Sequence, residues 1–212
     1  MQLIGMLDSP YVRRVAISLQ LLGLPFEHRS LSVFRTFDQF RAINPVVKAP
    51  TLVCDDGTVL MDSTLILDYV EALAAPKSLM PRGLTERQAA LRTIGLALAA
   101  CEKSVQLYYE SFRPSEKQHE PWVTRVSGQQ HAAFGELEAD LARRPQPGNA
   151  RAIGAAEITT AVTWHFTQRT LPGTVAESAY PRLCALSAWA EELPEFTAAP
   201  HGDGTFRAAA NK

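Results

Sequence analysis

Three short segments in the first third of the chain combine polar side chains with the predicted start of a helix or strand. They are Ser9-Pro10, Lys48-Ala49-Pro50 and Asp62-Ser63. Serine followed by proline is typical of a helix start, because serine caps the helix and proline suits its first turn. The N-terminal end of a helix has unpaired backbone N–H groups and partial positive charge, so it stabilises an anion placed beside it. The segments therefore predict sites for anionic groups.

Ser9 is the residue whose type and place favour chemistry most directly. A hydroxyl at a helix N-terminus donates to a bound anion, and this setting lowers the pKa of a thiol by about one to several units. A simple capping role, in which Ser9 only satisfies N–H groups of its own helix, explains the same dipeptide. Asp62 and Ser63 fit either an anion site or an ordinary cap, and Lys48 fits either a carboxylate partner or a solvated lysine.

The elements that position these segments follow from the spacing of apolar residues. Residues 2–6 form a short apolar run typical of a buried strand, and helical spacing then extends from Pro10 to Gly23, a residue type that commonly ends helices. Residues 25–31 predict a second strand. A strand–helix–strand unit of this kind implies two parallel strands joined by a right-handed crossover.

A second group of elements completes this part of the chain. Residues 36–43 predict a short helix, and the apolar runs 49–54 and 58–61 flank an Asp-Asp-Gly turn that indicates an antiparallel hairpin. A further helix is predicted from Ser63, with these residues on one face: Leu65, Ile66, Tyr69, Val70 and Leu73. We predict an α/β domain over residues 1–75, with a mixed four-stranded sheet.

The remainder of the chain has helical periodicity only. Residues 76–85 contain two prolines and one glycine, which predicts a linker. The predicted helices are 86–112, 122–143, 155–170 and 181–192, and turn-forming residues separate them, for example at 145–149. We predict an all-helical bundle over residues 86–212, with a poorly ordered Gly- and Ala-rich tail from Pro200.

Composition narrows the function classes. Hydrophobic residues make up 46% and charged residues 20% of the 212 residues, and the net charge is −1, so no basic surface for a nucleic acid is indicated. No apolar run has the length of a membrane span or a signal sequence. The 3 cysteines lie far apart without a Cys-x-x-Cys pair, which argues against a metal site or dithiol centre. We expect a cytoplasmic protein with reduced cysteines and no metal.

Three segments occur together in the order and approximate spacing of a known family. Residues 9–15 (SPYVRRV), residues 44–52 (NPVVKAPTL) and the Asp62-Ser63 pair resemble segments of the serine-type glutathione S-transferases, including tau-, zeta- and theta-like groups. The resemblance covers the first domain, and the second matches in helical architecture alone. In two departures, Ala49 replaces a branched residue, and Gly154 replaces a hydroxyl residue that begins a buried helix. With Glu157 three positions later, Gly154 still fits a helix cap.

The resemblance implies a thioredoxin-like first domain that binds glutathione as a co-substrate. Ser9 would be the catalytic residue that stabilises the thiolate. Pro50 would follow a cis peptide bond, whereas the residues alone equally allow a trans proline at the start of a strand. The Ala49 backbone would then pair with the cysteinyl unit, as an added strand does. The other implied glutathione-binding residues are Lys48 for the glycyl carboxylate, and Asp62 and Ser63 for the γ-glutamyl end.

The resemblance also implies that the helical domain lines the pocket of a small hydrophobic electrophile. Tyr108 and Phe112 on its first helix are candidate contacts, although aromatic residues at helical spacing more often belong to a core. Tyr11, close after Ser9, is a further pocket candidate and a rival hydrogen-bond donor to the thiol. Family members usually form homodimers, so we expect a homodimer.

These features predict a glutathione S-transferase of the detoxification type, in which the thiolate attacks a small electrophile. Glutathione-dependent isomerases, dehalogenases and disulfide reductases use the same thiolate and remain alternatives. A non-catalytic regulatory, interaction or ligand-binding protein with the same fold is the alternative from another class. The presence of Ser9, Pro50 and the Asp62-Ser63 pair favours an enzyme.

Overall fold

The computed structural model describes residues 1–143 and 153–206, so the predicted turn at 145–149 lies outside the described residues. The chain forms two compact units. The first contains Met1–Leu79 together with the C-terminal segment from Glu192, and the second contains Met80–Glu191. The sequence analysis had assigned everything after residue 85 to one helical domain. This assignment is wrong for residues 192–206, because their contacts are made with the first unit.

The first unit contains a mixed sheet of four short strands. The strands are β1 (Gln2–Ile4), β2 (Glu27–Arg29), β3 (Thr51–Val53) and β4 (Val59–Met61). Their order in the sheet is β2-β1-β3-β4. The β1–β2 pair is parallel, whereas β1–β3 and β3–β4 are antiparallel. The predicted crossover, hairpin and four-stranded sheet are confirmed, although each strand is shorter than its apolar run.

Eight α-helices occur in the described part of the chain. They are α1 (Pro10–Leu22), α2 (Phe37–Ile43), α3 (Ser63–Leu73), α4 (Leu84–Ser111), α5 (Glu120–Ala142), α6 (Ala155–Thr170), α7 (Pro181–Glu191) and α8 (Pro194–Ala198). The predicted boundaries hold within about two residues, except that the short α8 had not been predicted. Helix α1 begins at the Ser9 cap and ends at Gly23, whose φ of 77° suits glycine.

Helix α3 buries only part of the face on which its apolar residues lie. Ile66 and Val70 are fully buried, but Leu65, Tyr69 and Leu73 are 65%, 39% and 50% exposed. The predicted apolar face of α3 is therefore buried along one side and exposed along the other in the single chain. The sheet and α1 cover only the narrow stripe of Ile66 and Val70, so the i, i+4, i+8 stripe beside it stays exposed in the single chain.

The second unit contains α4 to α7. Its core includes Phe134 of α5 and Trp164 of α6, whose rings meet edge to face with centroids 5.2 Å apart. Gly154 precedes α6 and its N–H donates to Glu157 Oε2 at 3.0 Å, so the predicted cap at this helix is confirmed. Across residues 1–143 and 153–206, no helix combines the length and apolar character of a membrane span.

The segment that follows α8, residues 199–206, lies against the first unit, and we call it the C-terminal strap. Ser30 Oγ donates to the carbonyl of Asp203 at 2.7 Å, and Phe206 stacks on Phe26 with ring centroids 4.7 Å apart. Arg13 of α1 donates to the carbonyl of Ala199 at 2.8 Å. The prediction of a poorly ordered tail from Pro200 is wrong for residues 200–206, because these contacts hold the segment against the first unit. The prediction rested on composition alone.

Candidate functional site

The start of α1 presents the hydroxyl of Ser9. Ser9 Oγ accepts from the Val12 N–H at 3.4 Å, and Pro10 occupies the first turn. The residue is half-buried, so part of it reaches the surface of the first unit. A separation of 3.4 Å is long for this bond, so the hydroxyl is only weakly engaged as a cap. Because the oxygen acts as acceptor towards Val12, the O–H hydrogen is left to donate to another group.

Gly5 brings the start of α1 close to the Ala49-Pro50 segment. Its φ is 133°, a conformation that favours glycine. A Cβ at this position would lie 2.6 Å from Val12 Cγ2 and 3.1 Å from Ala49 Cβ. The backbone at Gly5 therefore packs between the first turn of α1 and the residue before Pro50. Only glycine allows this close approach.

Buried polar contacts hold the loop that leads to Pro50. Asn44 is 1% exposed; its Nδ2 donates to Thr51 Oγ1 at 2.8 Å, and its Oδ1 accepts from the Val46 N–H at 3.0 Å. Thr51 Oγ1 in turn donates to the carbonyl of Lys48 at 2.7 Å. The Ala49–Pro50 peptide bond is cis, as the resemblance implied. The Asn-Pro part of the motif thus serves to shape this loop.

The start of α3 has an unusual backbone at Asp62. Its φ is 72°, and its side chain accepts from the Thr64 N–H at 2.9 Å. Among the described residues, Asp62 and Val47 (φ 53°) are the non-glycine residues with positive φ. Such a conformation costs about 1–3 kcal/mol and is concentrated at functional sites. Both residues lie within or next to the segments predicted to bind a ligand.

A buried arginine connects α1 with the start of α3. Arg14 is 3% exposed and Ser63 is 4% exposed, and Arg14 Nη1 donates to Ser63 Oγ at 3.4 Å. Lys48 Nζ lies 3.9 Å from Asp62 Oδ2, and both side chains are about half exposed. An ion pair of this kind contributes less than about 1 kcal/mol, so Lys48 can exchange its partner for a ligand carboxylate. These contacts bring the three predicted segments together in the first unit.

Two arginines at this site were not singled out by the sequence analysis. Arg14 appeared only as part of a motif, and nothing in the sequence marked its burial. Arg35 lies close to the segment before Ser9: its Nη2 is 3.6 Å from Met6 Sδ and 3.4 Å from Asp203 Oδ2. Its spacing from the motifs gave no signal, because only the fold brings the loop after β2 to this position.

The carboxyl group of Asp8 adds a titratable group beside Ser9. Desolvation by the surrounding chain raises its pKa above the usual value, and a hydrogen bond from the Ser9 backbone together with the charge of Arg35 partly offsets that rise. The Asp203 carboxylate on the strap raises the pKa of Asp8 further. The region before Ser9 therefore contains charges of both signs.

The predicted electrophile contacts lie in two different units. Tyr11 is half-buried in α1 of the first unit. In the second unit, Tyr108 packs edge to face on Phe112 and on Phe166, with centroid distances of 4.6 and 6.1 Å. Phe112 is 65% exposed, so this aromatic cluster reaches the surface of its unit. Within the residues that the structure describes, no group of three or more His, Cys, Asp or Glu side chains is arranged to hold a metal ion.

Comparison with known proteins identifies relatives of both parts of the chain. The family model for the glutathione S-transferase N-terminal domain matches residues 3–78. The uncharacterized GST-like protein YibF of Escherichia coli is 25% identical over 82% of this chain and 86% of its own length. A glutathione transferase family member from Pseudomonas fluorescens Pf-5, solved with bound S-(propanoic acid)-glutathione, is 27% identical, with a TM-score of 0.75 over 94% of this chain and 98% of that one.

A third relative extends the similarity of fold to the full length. The glutathione S-transferase of Methylobacterium radiotolerans, solved with glutathione sulfonate, has a TM-score of 0.82 over 100% of this chain and 96% of that chain, at 24% identity. The fold is therefore a thioredoxin-like domain with a helical domain. The domain match and the motifs gathered around Ser9 agree: residues 3–78 match the glutathione S-transferase N-terminal domain, and the whole chain is similar in sequence and fold to proteins of that family.

Proposed function

We propose that this protein binds glutathione and activates it as a thiolate at Ser9 for attack on a small electrophile. The observation that carries the proposal is the Ser9 hydroxyl, held at the N-terminal end of α1 with its oxygen only 3.4 Å from the Val12 N–H and its hydrogen left to donate. A sulfur atom beside this hydroxyl receives a hydrogen bond and the favourable field of the helix end. Both interactions stabilise the thiolate more than the thiol, so they lower the thiol pKa.

The rest of glutathione is held by the segments around Ser9. In this proposal the Ala49 backbone pairs with the cysteinyl unit, as an added strand does. The Ser63 hydroxyl and the start of α3 bind the γ-glutamyl carboxylate, while Asp62 binds its ammonium group. Lys48 binds the glycyl carboxylate in exchange for its ion pair with Asp62.

The reaction requires no covalent bond to the protein. Glutathione loses its thiol proton to solvent, and the sulfur lone pair then forms a bond to an electrophilic atom. Either that atom releases a leaving group with its bonding electrons, or the π bond of an activated alkene breaks and its electron pair takes up a proton from solvent. The protein contributes positioning and the lowered thiol pKa. Tyr11, which is half-buried in the first unit, contacts the electrophile in this proposal, and its aromatic ring favours a small hydrophobic compound.

We also propose that the protein forms a homodimer through α3. Leu65, Tyr69 and Leu73 form an exposed stripe of large apolar side chains on this helix, and Val59 of β4 in the same unit is also exposed. Apolar area of this kind marks an interaction surface. A second copy of the chain is the occupant that the family resemblance implies. Light scattering should give a dimer for the wild type and a monomer for Leu65→Glu, while a wild-type monomer would contradict this proposal.

The experiment that tests the function is glutathione binding by calorimetry on the wild type and Ser9→Ala, with turnover of an activated aryl halide. We expect Ser9→Ala to bind glutathione with little loss and to turn over about a hundredfold more slowly, as when one donor to a developing anion is removed. Ser9→Thr, which keeps a hydroxyl, is the matched control. If the wild type binds no glutathione, the enzyme proposal fails and a non-catalytic interaction protein becomes the better account.

A further inference from the structure

His28 lies on the edge strand β2 and is buried, with both ring nitrogens engaged. Nε2 lies 2.7 Å from the carbonyl oxygen of Gly5, and Nδ1 lies 2.9 Å from the backbone nitrogen of Phe206. A backbone N–H can only donate, so Nδ1 is the acceptor in the second contact. The ring proton of the neutral imidazole is then on Nε2, which donates it to Gly5. The strap thus selects one of the two tautomers of His28.

Gly5 connects His28 with the segment that presents Ser9. The chain runs from Gly5 to the α1 cap in four residues, and the Ser9 N–H donates to the carbonyl of Met6 at 3.2 Å within that turn. The backbone of Gly5 also packs closely between Val12 and Ala49, because a Cβ added at Gly5 would lie too close to both side chains. A shift of the Gly5 carbonyl therefore moves the first turn of α1 or the residue before Pro50. The hydrogen bond from His28 opposes such a shift.

Several contacts that do not involve His28 hold the C-terminal strap in place. Phe206 stacks on Phe26, and the Asp203 carbonyl accepts from Ser30 at 2.7 Å. Asp203 also pairs with Arg35 at 3.4 Å. The Phe206 N–H is therefore presented to His28 by a segment with several anchors, so the position of this donor does not depend on its bond to Nδ1 alone.

We propose that His28 is a positioning residue for Ser9: the Phe206 N–H of the strap fixes the His28 tautomer that donates to Gly5, and this bond holds the segment from Gly5 to the start of α1. The inference rests on the proposed role of Ser9 in glutathione activation. Through His28, the C-terminal strap would thus affect the position of Ser9 at the start of α1, although the two segments are far apart in sequence.

Two amide substitutions separate the two bonds of His28. The amide of asparagine reaches about the position of Nδ1, so His28→Asn keeps the acceptor for Phe206 and loses the donor to Gly5. The longer glutamine reaches about the position of Nε2, so His28→Gln keeps the donor to Gly5 and loses the acceptor. Each variant is therefore the control for the other. Three measurements compare them: the thiol pKa of bound glutathione from thiolate absorbance, kcat against KM, and hydrogen exchange across residues 5–12.

We expect His28→Asn to raise the thiol pKa of bound glutathione, to lower kcat about three- to tenfold with little change in the KM for glutathione, and to speed exchange across residues 5–12. His28→Gln should resemble the wild type in all three. Phe206→Pro, which removes the backbone donor, should lower kcat more than Phe206→Ala, which removes only the ring.

Equal behaviour of His28→Asn and His28→Gln in rate and exchange would overturn the inference and leave His28 a purely structural residue. A wild type that binds no glutathione would overturn the proposed function. The exchange measurement requires no ligand, so in that case it still decides whether His28 holds the Ser9 segment.

Discussion

The free backbone N–H groups at the start of a helix are paired differently in the two units, at α6 in the second and at α1 and α3 in the first. At α6, the Gly154 N–H donates to Glu157 at 3.0 Å, so a side chain of the helix itself completes the cap. At α1, Ser9 accepts from Val12 at a long 3.4 Å. At α3, Asp62 caps the helix from a backbone with φ 72°.

Under the proposed function, this difference separates the helix start that serves folding from the two that bind the ligand. The α6 start uses its own carboxylate and adjoins a buried core, so it has little capacity left for a ligand. The α1 start leaves its hydroxyl weakly engaged, and the α3 start accepts a cost of about 1–3 kcal/mol in backbone strain. A weak cap and a strained cap are tolerated where a bound anion completes the interactions.

The sharpest test of this contrast is Ser63→Ala. If Ser63 binds the γ-glutamyl carboxylate, losing a charge-assisted hydrogen bond weakens glutathione binding about ten- to hundredfold, measured by calorimetry. Ser187 of α7 is also buried and bonded to a backbone carbonyl, so Ser187→Ala is the matched control and should leave the affinity unchanged. Equal losses in the two variants would remove the distinction between binding and folding positions.

A smaller effect, on stability alone, is expected at α6. Glu157→Ala removes the acceptor of the Gly154 N–H and should lower the free energy of unfolding by about 0.5–2 kcal/mol, measured by urea denaturation. Glutathione affinity should stay at the wild-type value. Glu157→Gln keeps an acceptor and should recover most of the loss. A change in affinity in Glu157→Ala would contradict the assignment of this helix start to folding.

The strained cap predicts an opposite effect on stability and binding. Asp62→Gly relieves the positive φ and loses a cap that glycine partly replaces, so we expect the free energy of unfolding to rise by about 0.5 kcal/mol. Glutathione affinity should fall, because the carboxylate is gone. Asp62→Asn tolerates this backbone and keeps the acceptor for Thr64, so its stability should match the wild type. A clear loss of stability in Asp62→Gly would show that the backbone there is not strained.

The smallest effect is a pH dependence that belongs to the first unit. Burial lowers the pKa of His28 below 6.5, and its bond to Gly5 only partly offsets this. The unfolded chain therefore binds the proton more readily, so stability declines as the pH falls below 6.5 and levels off below the folded-state pKa. His28→Gln lacks this component, and the difference between the two unfolding profiles isolates it from the acidic groups. Parallel profiles would indicate no such shift.

The elements of the first unit could be predicted because each has a local signal. Ser9-Pro10 and Gly23 bracket α1, and the Asp-Asp-Gly turn joins the hairpin strands. Helix caps and turns depend on neighbouring residues, so the sequence contains most of the information they need. The exposed stripe on α3 could not be predicted in this way. Periodicity identifies apolar residues, but which of them another element covers depends on packing.

The proposed site also contains residues that the sequence predicted and residues that it did not. Ser9, Pro50 and Asp62-Ser63 were named from motifs, and the structure gathers them in one unit through Gly5, Asn44 and Arg14. None of these three linking residues was assigned a role beforehand. The buried contacts of these residues depend on the tertiary fold, so no local sequence pattern predicts them.

The sequence by itself determined the order of the elements, the helix starts and the family motifs, because these depend on backbone preferences of adjacent residues. Only the tertiary structure decided that residues 199–206 pack on the first unit and that His28 links Phe206 to Gly5. Such contacts join segments that lie far apart in the sequence, so no local pattern predicts them. They form when folding removes water from the polar groups involved, because buried polar groups must then pair with each other.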